Sequence, residues 1–235
     1  MSSSPNKPVL KLDWCSHEAA KWAVEHWHYS KTMPVSKSVH FGVWENGEFV
    51  GAIIFSWGAN PNLSKPYGLE MTECAELVRV ALRTHGTPVS RLLSIATKMI
   101  KRQSPGLRLL VSYADTRQGH HGGIYQAAGW VYTGETDRKF DFEWNGKILQ
   151  RRSYTGKNFG GGRLRPPPGA TKIESPSKYR YLYPLDAAMR AQIAPLAKPY
   201  PKRAVVVQAA EQPRPSADGV AERPDRSRIA DDGRQ

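Results

Sequence analysis

The spacing of apolar residues changes period several times along the chain, and each change marks an element. Residues 9–14 (VLKLDW) are apolar and β-prone and predict a strand. Ser16 follows as a helix cap, and Ala20, Trp22, Ala23 and Trp27 recur at helical spacing within residues 17–29. Residues 38–58 hold two β-rich runs around Asn46-Gly47, the dipeptide preferred in a type I′ hairpin turn. After a polar loop, residues 75–83 (AELVRVALR) alternate as a strand, with Arg79 and Arg83 among the apolar positions. On a regular strand Glu76 and Arg79 face opposite sides. Leu92, Leu93, Ala96, Met99 and Ile100 form an apolar stripe on a helix over 89–103, with Thr87 placed to cap it and Pro88 at its first position. A strand over 107–115, a short helix stopped by Gly129, a strand over 130–135 and a second Asn-Gly hairpin over 140–154 complete the pattern. The order β-α-β-β-β-α-β-α-β-β predicts an α/β (α+β) protein with a mixed, mostly antiparallel sheet flanked by helices.

The patterning changes at residue 156. Residues 156–203 are rich in Gly, Pro, Lys and Arg and offer one short helix, 186–193, capped by Asp186. The expected organisation is therefore a catalytic domain over 1–155 holding the core, a basic extension over 156–203, and a disordered tail over 204–235. The length suits one ordinary domain with such an extension. No apolar run reaches the roughly 20 residues of a bilayer span, and the first residues lack a secretory pattern. Cys15 and Cys74 are far apart and read as free thiols of a reducing compartment. These features predict a cytoplasmic protein with no membrane partner.

Charge sharpens the picture of the extension. The net charge is +13, but residues 1–158 hold 20 Lys and Arg against 13 Asp and Glu, residues 159–203 hold 9 against 2, and residues 204–235 hold 5 against 6. The positive charge is densest in the extension, which favours a polyanionic partner, most simply nucleic acid. Arg163, Arg165, Lys178, Arg180, Lys202 and Arg203 are the expected phosphate contacts. The plainer reading of the same charge is a solubilising tail.

Candidate chemistry gathers at strand ends. Asp115 ends the run LRLLVSYAD and precedes a turn rich in Gly and His, where it can accept a proton, hold a metal, or simply cap the turn. His28 and Tyr29 stand where the first helix ends, His28 as a base or ligand and Tyr29 as a donor or stacking surface. Arg79 suits an anionic donor or a phosphate, whereas Glu76 reads as structural. His120-His121 is not ligand geometry by itself. Gly86, Thr87, Ser90 and Arg91, at a strand-to-helix turn, can cradle an anion or serve only as an ordinary helix start.

The element order and the segment GIYQAAGW after LLVSYAD resemble the GNAT acyltransferases, where Tyr125 matches the tyrosine that protonates the leaving thiolate of coenzyme A. The pyrophosphate loop of that superfamily is incomplete here, since RTHGTPVSRL has one glycine where two are expected, which argues against acetyl-CoA. A closer resemblance, from about residue 14 to 203, is to the GNAT-like Mom-type adenine-modification proteins of bacteriophages and prophages. It rests on HYSKTMP, AELVRVAL, SRLLSIA, VSYAD with the later YQAAGW, and KYRYLYPLD with RAQIAPLAKPYPKR. The resemblance implies conversion of adenine in double-stranded DNA to N6-carbamoylmethyladenine, with evasion of restriction. It implies functional roles for His28, Tyr29, Arg79, Ser90 and Asp115, and an iron requirement for which His28 and Asp115 are the positions to test. It leaves open the donor of the glycinamide group and the oligomeric state, a dimer being allowed. The competing expectation is a GNAT N-acyltransferase acting on a small amine or peptide.

Overall fold

In the computed structural model, residues 8–58, 60–149, 151, 154 and 165–202 are described. The elements run β1 (Leu10–Trp14), α1 (His17–Trp27), β2 (Ser38–Glu45), β3 (Glu48–Ser56), β4 (Cys74–Leu82), α2 (Val89–Gln103), β5 (Leu109–Asp115), α3 (Gly123–Ala127), β6 (Val131–Glu135), β7 (Lys139–Trp144), β8 (Lys147–Leu149), β9 (Thr171–Ser175), β10 (Lys178–Pro184) and α4 (Ala187–Ile193). The main sheet has the order β1-β2-β3-β4-β5-β10-β6, and a second sheet has the order β8-β7-β9. In the main sheet all neighbours are antiparallel except β4 and β5. The mixed, mostly antiparallel sheet is thus the predicted one.

Local chemistry explains most boundaries. Ser16 accepts the amide of Ala19 and starts α1, which buries Ala20, Ala23 and Val24 against β3 and β4. Both hairpins turn at Asn-Gly, with positive φ at Asn46, Gly47, Asn145 and Gly146, as a type I′ turn requires. The start of α2 differs from expectation. Pro88, not Thr87, is the capping residue, and it offers no side chain to the free amides. Instead Glu45 at the end of β2 reaches over and accepts from the amides of Gly86 at 2.8 Å and Thr87 at 2.6 Å.

The largest departure concerns the extension. β10 enters the main sheet between β5 and β6 and pairs with β5 from Lys178↔Asp115 to Pro184↔Leu109. Tyr181, Leu182, Met189 and Ile193 are fully buried. The compact unit runs through Arg203, so the boundary expected near residue 155 does not divide the fold. The reason is physical: without β10, neither β5 nor β6 has its backbone partner on that side. The second hairpin likewise does not close the domain but joins β9 in a separate small sheet. The tail expected over 204–235 lies outside the described residues. Among the described residues no helix is long and apolar enough to cross a membrane.

Candidate active site

The parallel ladder between β4 and β5 is short. It runs from Cys74↔Leu109 to Glu76↔Val111, and the strands then part. Ser112 marks the opening, since its hydroxyl donates to the Leu77 carbonyl at 2.8 Å across the gap. A bulge in β4 shapes the same region. Ile54 lies opposite Arg79 and Phe55 opposite Leu77, which leaves Val78 as the extra residue. Ile54 and Ser56 share one face of β3, so their partners Arg79 and Glu76 share one face of β4. The expected opposite placement of these two residues is therefore corrected by one inserted residue. Because Glu76 is also level with Val111, the side chains of Tyr113 and Asp115 fall on that face as well. The end of α1, packed on this face, brings His28 and Tyr29 to the parting.

The cluster has a definite protonation pattern. The Ser30 amide donates to His28 Nδ1 at 3.1 Å, and the Ser30 hydroxyl lies 2.8 Å from the same nitrogen. An amide can only donate, so Nδ1 is an acceptor and the neutral ring carries its hydrogen on Nε2. Burial, followed by the positive surroundings of Arg79, His120 and Lys31, pulls the His28 pKa down to about 4. A second proton at Nδ1 would also oppose the Ser30 amide. His28 is thus a neutral hydrogen-bond donor near pH 7, and a poor base. Tyr29 stacks obliquely on His28 with centroids 4.3 Å apart and meets His120 edge-on at 5.4 Å. Burial and the Asp115 charge raise its phenol pKa, against the opposing pull of Arg79, so it too remains protonated. Arg79 is fixed by its Nε bond to the Thr32 carbonyl at 3.1 Å and its bond to the Val78 carbonyl at 2.7 Å. Burial lowers its pKa while Tyr29 and Glu76 raise it, and a guanidinium keeps its charge at neutral pH.

Asp115 carries one carboxylate of the cluster, and Glu76 on the same face is another. Oδ1 caps the following 3-10 turn through the Arg117 amide at 3.1 Å, and Oδ2 accepts from Lys178 Nζ at 2.9 Å. Both sequence readings, turn cap and strand-tip acid, therefore meet in one side chain that is 16% exposed. A carboxylate has further lone pairs and can accept another proton donor. Among the described residues no group of three or more His, Cys, Asp or Glu side chains is placed to hold a metal. With the His28 Nδ1 lone pair taken by the Ser30 amide and the ring hydrogen on Nε2, His28 offers no lone pair to an iron ion, and no step below passes through one.

Other predicted residues fall elsewhere. Ser90 and Arg91 open α2, where the Ser90 carbonyl accepts from Ser94 and the Arg91 amide donates to the Pro88 carbonyl. Among the described residues no contact ties Ser90 to His28, Tyr29, Arg79 or Asp115. The Gly86 and Thr87 amides, expected to meet an external anion, donate to Glu45. Burial pushes the Glu45 carboxyl up, but the hydrogen bonds from Thr87 and Gly86 outweigh it and hold the group below the usual carboxylate range. Tyr125 lies in the core, its hydroxyl donates to Ser112 Oγ at 2.9 Å because the Ser112 hydrogen is given to Leu77, and burial pushes its pKa up to about 12. Of the expected DNA contacts, Lys178 pairs with Asp115, Arg180 donates to Thr133 at 3.0 Å, and Arg165 and Lys202 are exposed. Arg163 and Arg203 lie outside the described residues. Sequence reasoning named His120 only as half of the His120-His121 pair, and missed its contact with Tyr29, the Lys178 partnership with Asp115 and the Glu45 closure of the α2 turn. Only Ser30, two residues after His28, left a local signal.

Fold and cluster together define a mixed α/β protein with polar groups collected where two parallel strands part. Solved acyltransferase structures align along the chain: an acetyltransferase from Bacillus subtilis in complex with CoA (TM-score 0.44, 14% identity, 77% of this chain and 100% of that one) and FeeM, an N-acyl amino acid synthase from uncultured soil microbes (0.45, 12%, 79% and 95%). The Mom protein family model matches residues 9–202, and the chain belongs to that family. The methylcarbamoylase Mom of Escherichia phage Mu is 27% identical over 203 residues, covering 82% of this chain and 84% of that protein.

Proposed function

We infer that this protein is a DNA-modifying transferase that places a carbamoylmethyl group on N6 of adenine in double-stranded DNA. It protects phage or prophage DNA from restriction in the host cytoplasm. The observation that carries the reading is family membership over residues 9–202, whose matched span contains the whole cluster at the β4–β5 parting. The net charge of +13 suits a polyanionic substrate.

The residues divide the chemistry as follows. N6 of adenine is a weak nucleophile and must be desolvated, aligned with the donor carbon and relieved of a proton. In a duplex this requires the base to leave the stack. Tyr29 and Trp57, 46% and 43% exposed, offer stacking surfaces for it. Arg79 and the Nε2–H of His28 are donors for the amide oxygen of the incoming group or for ring nitrogens of the base. As the N6–carbon bond forms, the bond from that carbon to its leaving group breaks, and the N6 proton passes to Asp115. Lys178, 2.9 Å from Oδ2, holds that carboxylate in position.

Mass spectrometry of nucleosides from DNA of cells expressing the protein tests the reading. The expected result is deoxyadenosine carrying one carbamoylmethyl group in place of hydrogen. Unmodified deoxyadenosine at high levels of folded protein overturns it. The Glu45 closure of the α2 turn disfavours the alternative, a small-amine acyltransferase that seats a nucleotide donor on those amides.

A further inference from the structure

At the opposite end of the strands from the cluster lies a cavity of about 530 Å³ between the second half of α2 and the β10–α4 junction. Lys98, Lys101 and Arg102 line it from α2, and Arg190 lines it from α4. Its one carboxylate, Asp186, is already taken: it accepts from Arg108 Nε at 2.9 Å and from the Met189 amide at 2.7 Å. Lys101 is held by the carbonyls of Pro105 and Leu107. Lys98, Arg102 and Arg190 are exposed, and among the described residues none of their side chains forms an ion pair or hydrogen bond. The α2 dipole accounts for cations in its last turn, Lys101 and Arg102. It does not account for Lys98 a turn earlier, where Lys98 and Arg102 repel as an i, i+4 pair, nor for Arg190 arriving from another helix.

We propose that this groove is a second DNA contact, taking phosphates of the duplex some distance from the reacting adenine. The proposal rests on the DNA-modifying reading above and extends it. Charge complementarity points to the occupant: three uncommitted cations converge on one concavity whose single acid is neutralised. The separation along the strands is one that a duplex can span. The groove begins at the Pro184 end of β10 and Asp115 lies beside the Lys178 end, six residues away, about 20 Å at the usual rise of about 3.3 Å per residue. A duplex covers that in about six base pairs, at about 3.4 Å per step along one strand. Phosphates read in this way position the DNA and carry no sequence information.

The test uses the full chain with Lys98→Gln, Arg102→Gln and Arg190→Gln combined, none of which belongs to the cluster. Affinity for a duplex of about 20 base pairs is measured across a range of salt concentrations. Each lost phosphate contact flattens the slope of log affinity against log salt by about 0.9, so the triple variant should be shallower by about 2 to 3. Its thermal unfolding should match the wild type. An unchanged slope in a folded variant overturns the proposal. So does saturable binding of pyrophosphate by the wild type that the variant loses while its DNA slope stays unchanged, since the groove would then serve a free phosphate compound. A wild-type chain that binds no duplex at all would instead remove the DNA-modifying reading on which the proposal stands.

Discussion

β4 leads from one candidate site to the other. Near its start, where it parts from β5, Arg79, His28, Tyr29 and Asp115 stand on one face with donors and a carboxylate still able to take a partner. Past its end, the turn into α2 has amides that look equally suited to an anion, yet Glu45 fills them. The difference teaches how to rank polar clusters. A turn whose donors are satisfied from within stabilises the fold, whereas a parting that keeps unspent hydrogen-bonding capacity can act on a substrate.

The largest effect should come from a change that destroys both regions together. Ending the chain at Tyr154 removes β10 and α4, and with them Tyr181, Leu182, Met189 and Ile193 from the core. At about 1.5–3 kcal/mol for each buried side chain, the loss of about 6–12 kcal/mol is comparable to the whole stability of a typical domain. Circular dichroism and thermal melting should show a chain with no cooperative transition. A cooperative melt for the shortened chain would restore the boundary near residue 155.

A smaller effect separates the parting from its surroundings by pH. The His28 pKa is about 4 in the folded chain against about 6.5 when unfolded, so below pH 6.5 the unfolded chain binds the extra proton. Stability from this group is therefore intact above pH 6.5, falls as the pH drops, and is fully lost near pH 4, with a magnitude of up to about 3 kcal/mol. His28→Gln should lose less stability over that window than the wild type, as read by denaturant unfolding at several pH values. Parallel curves for the two proteins would refute the buried neutral imidazole.

The smallest effect belongs to the closed turn. Glu45→Gln keeps one acceptor oxygen but loses the charge facing the Gly86 and Thr87 amides, and should cost about 1–3 kcal/mol. Because the folded-state pKa of Glu45 is lowered, the wild type holds this advantage above the unfolded carboxyl pKa and gives it up as the pH falls through the lowered value. The gap between the two proteins should close in acid. A gap that persists unchanged at low pH would mean that the turn is not held by the ionised carboxylate.

Much of this was legible in the order of residues. The Asn-Gly hairpins, α1 with its Ser16 cap and the strand ending at Asp115 follow from local rules, whereas the grouping of His28, Tyr29, Arg79 and Asp115 came from the family resemblance. What stayed hidden is non-local. Lys178 meets Asp115 from 63 residues away, and Glu45 reaches Thr87 from 42. The bulge at Val78 turns Glu76 to the side of Arg79 by one residue that no propensity marks. β10 was partly readable: in KYRYLYP the tyrosines 179, 181 and 183 alternate as a strand demands and do pack in the core. The Gly- and Pro-rich stretch before it masked that signal.

The most direct test sets the two regions against each other in one assay. Nucleoside mass spectrometry would compare DNA from cells expressing the wild type, Asp115→Asn and Glu45→Gln at equal soluble protein. Asn at 115 keeps the cap to the Arg117 amide but not the charge, and loss of a proton acceptor typically costs about 10²–10⁴-fold in rate. The account predicts carbamoylmethyl-deoxyadenosine from the wild type and from Glu45→Gln, and little or none from Asp115→Asn. Near-normal modification by Asp115→Asn, or its abolition by a folded Glu45→Gln, would place the chemistry away from the β4–β5 parting.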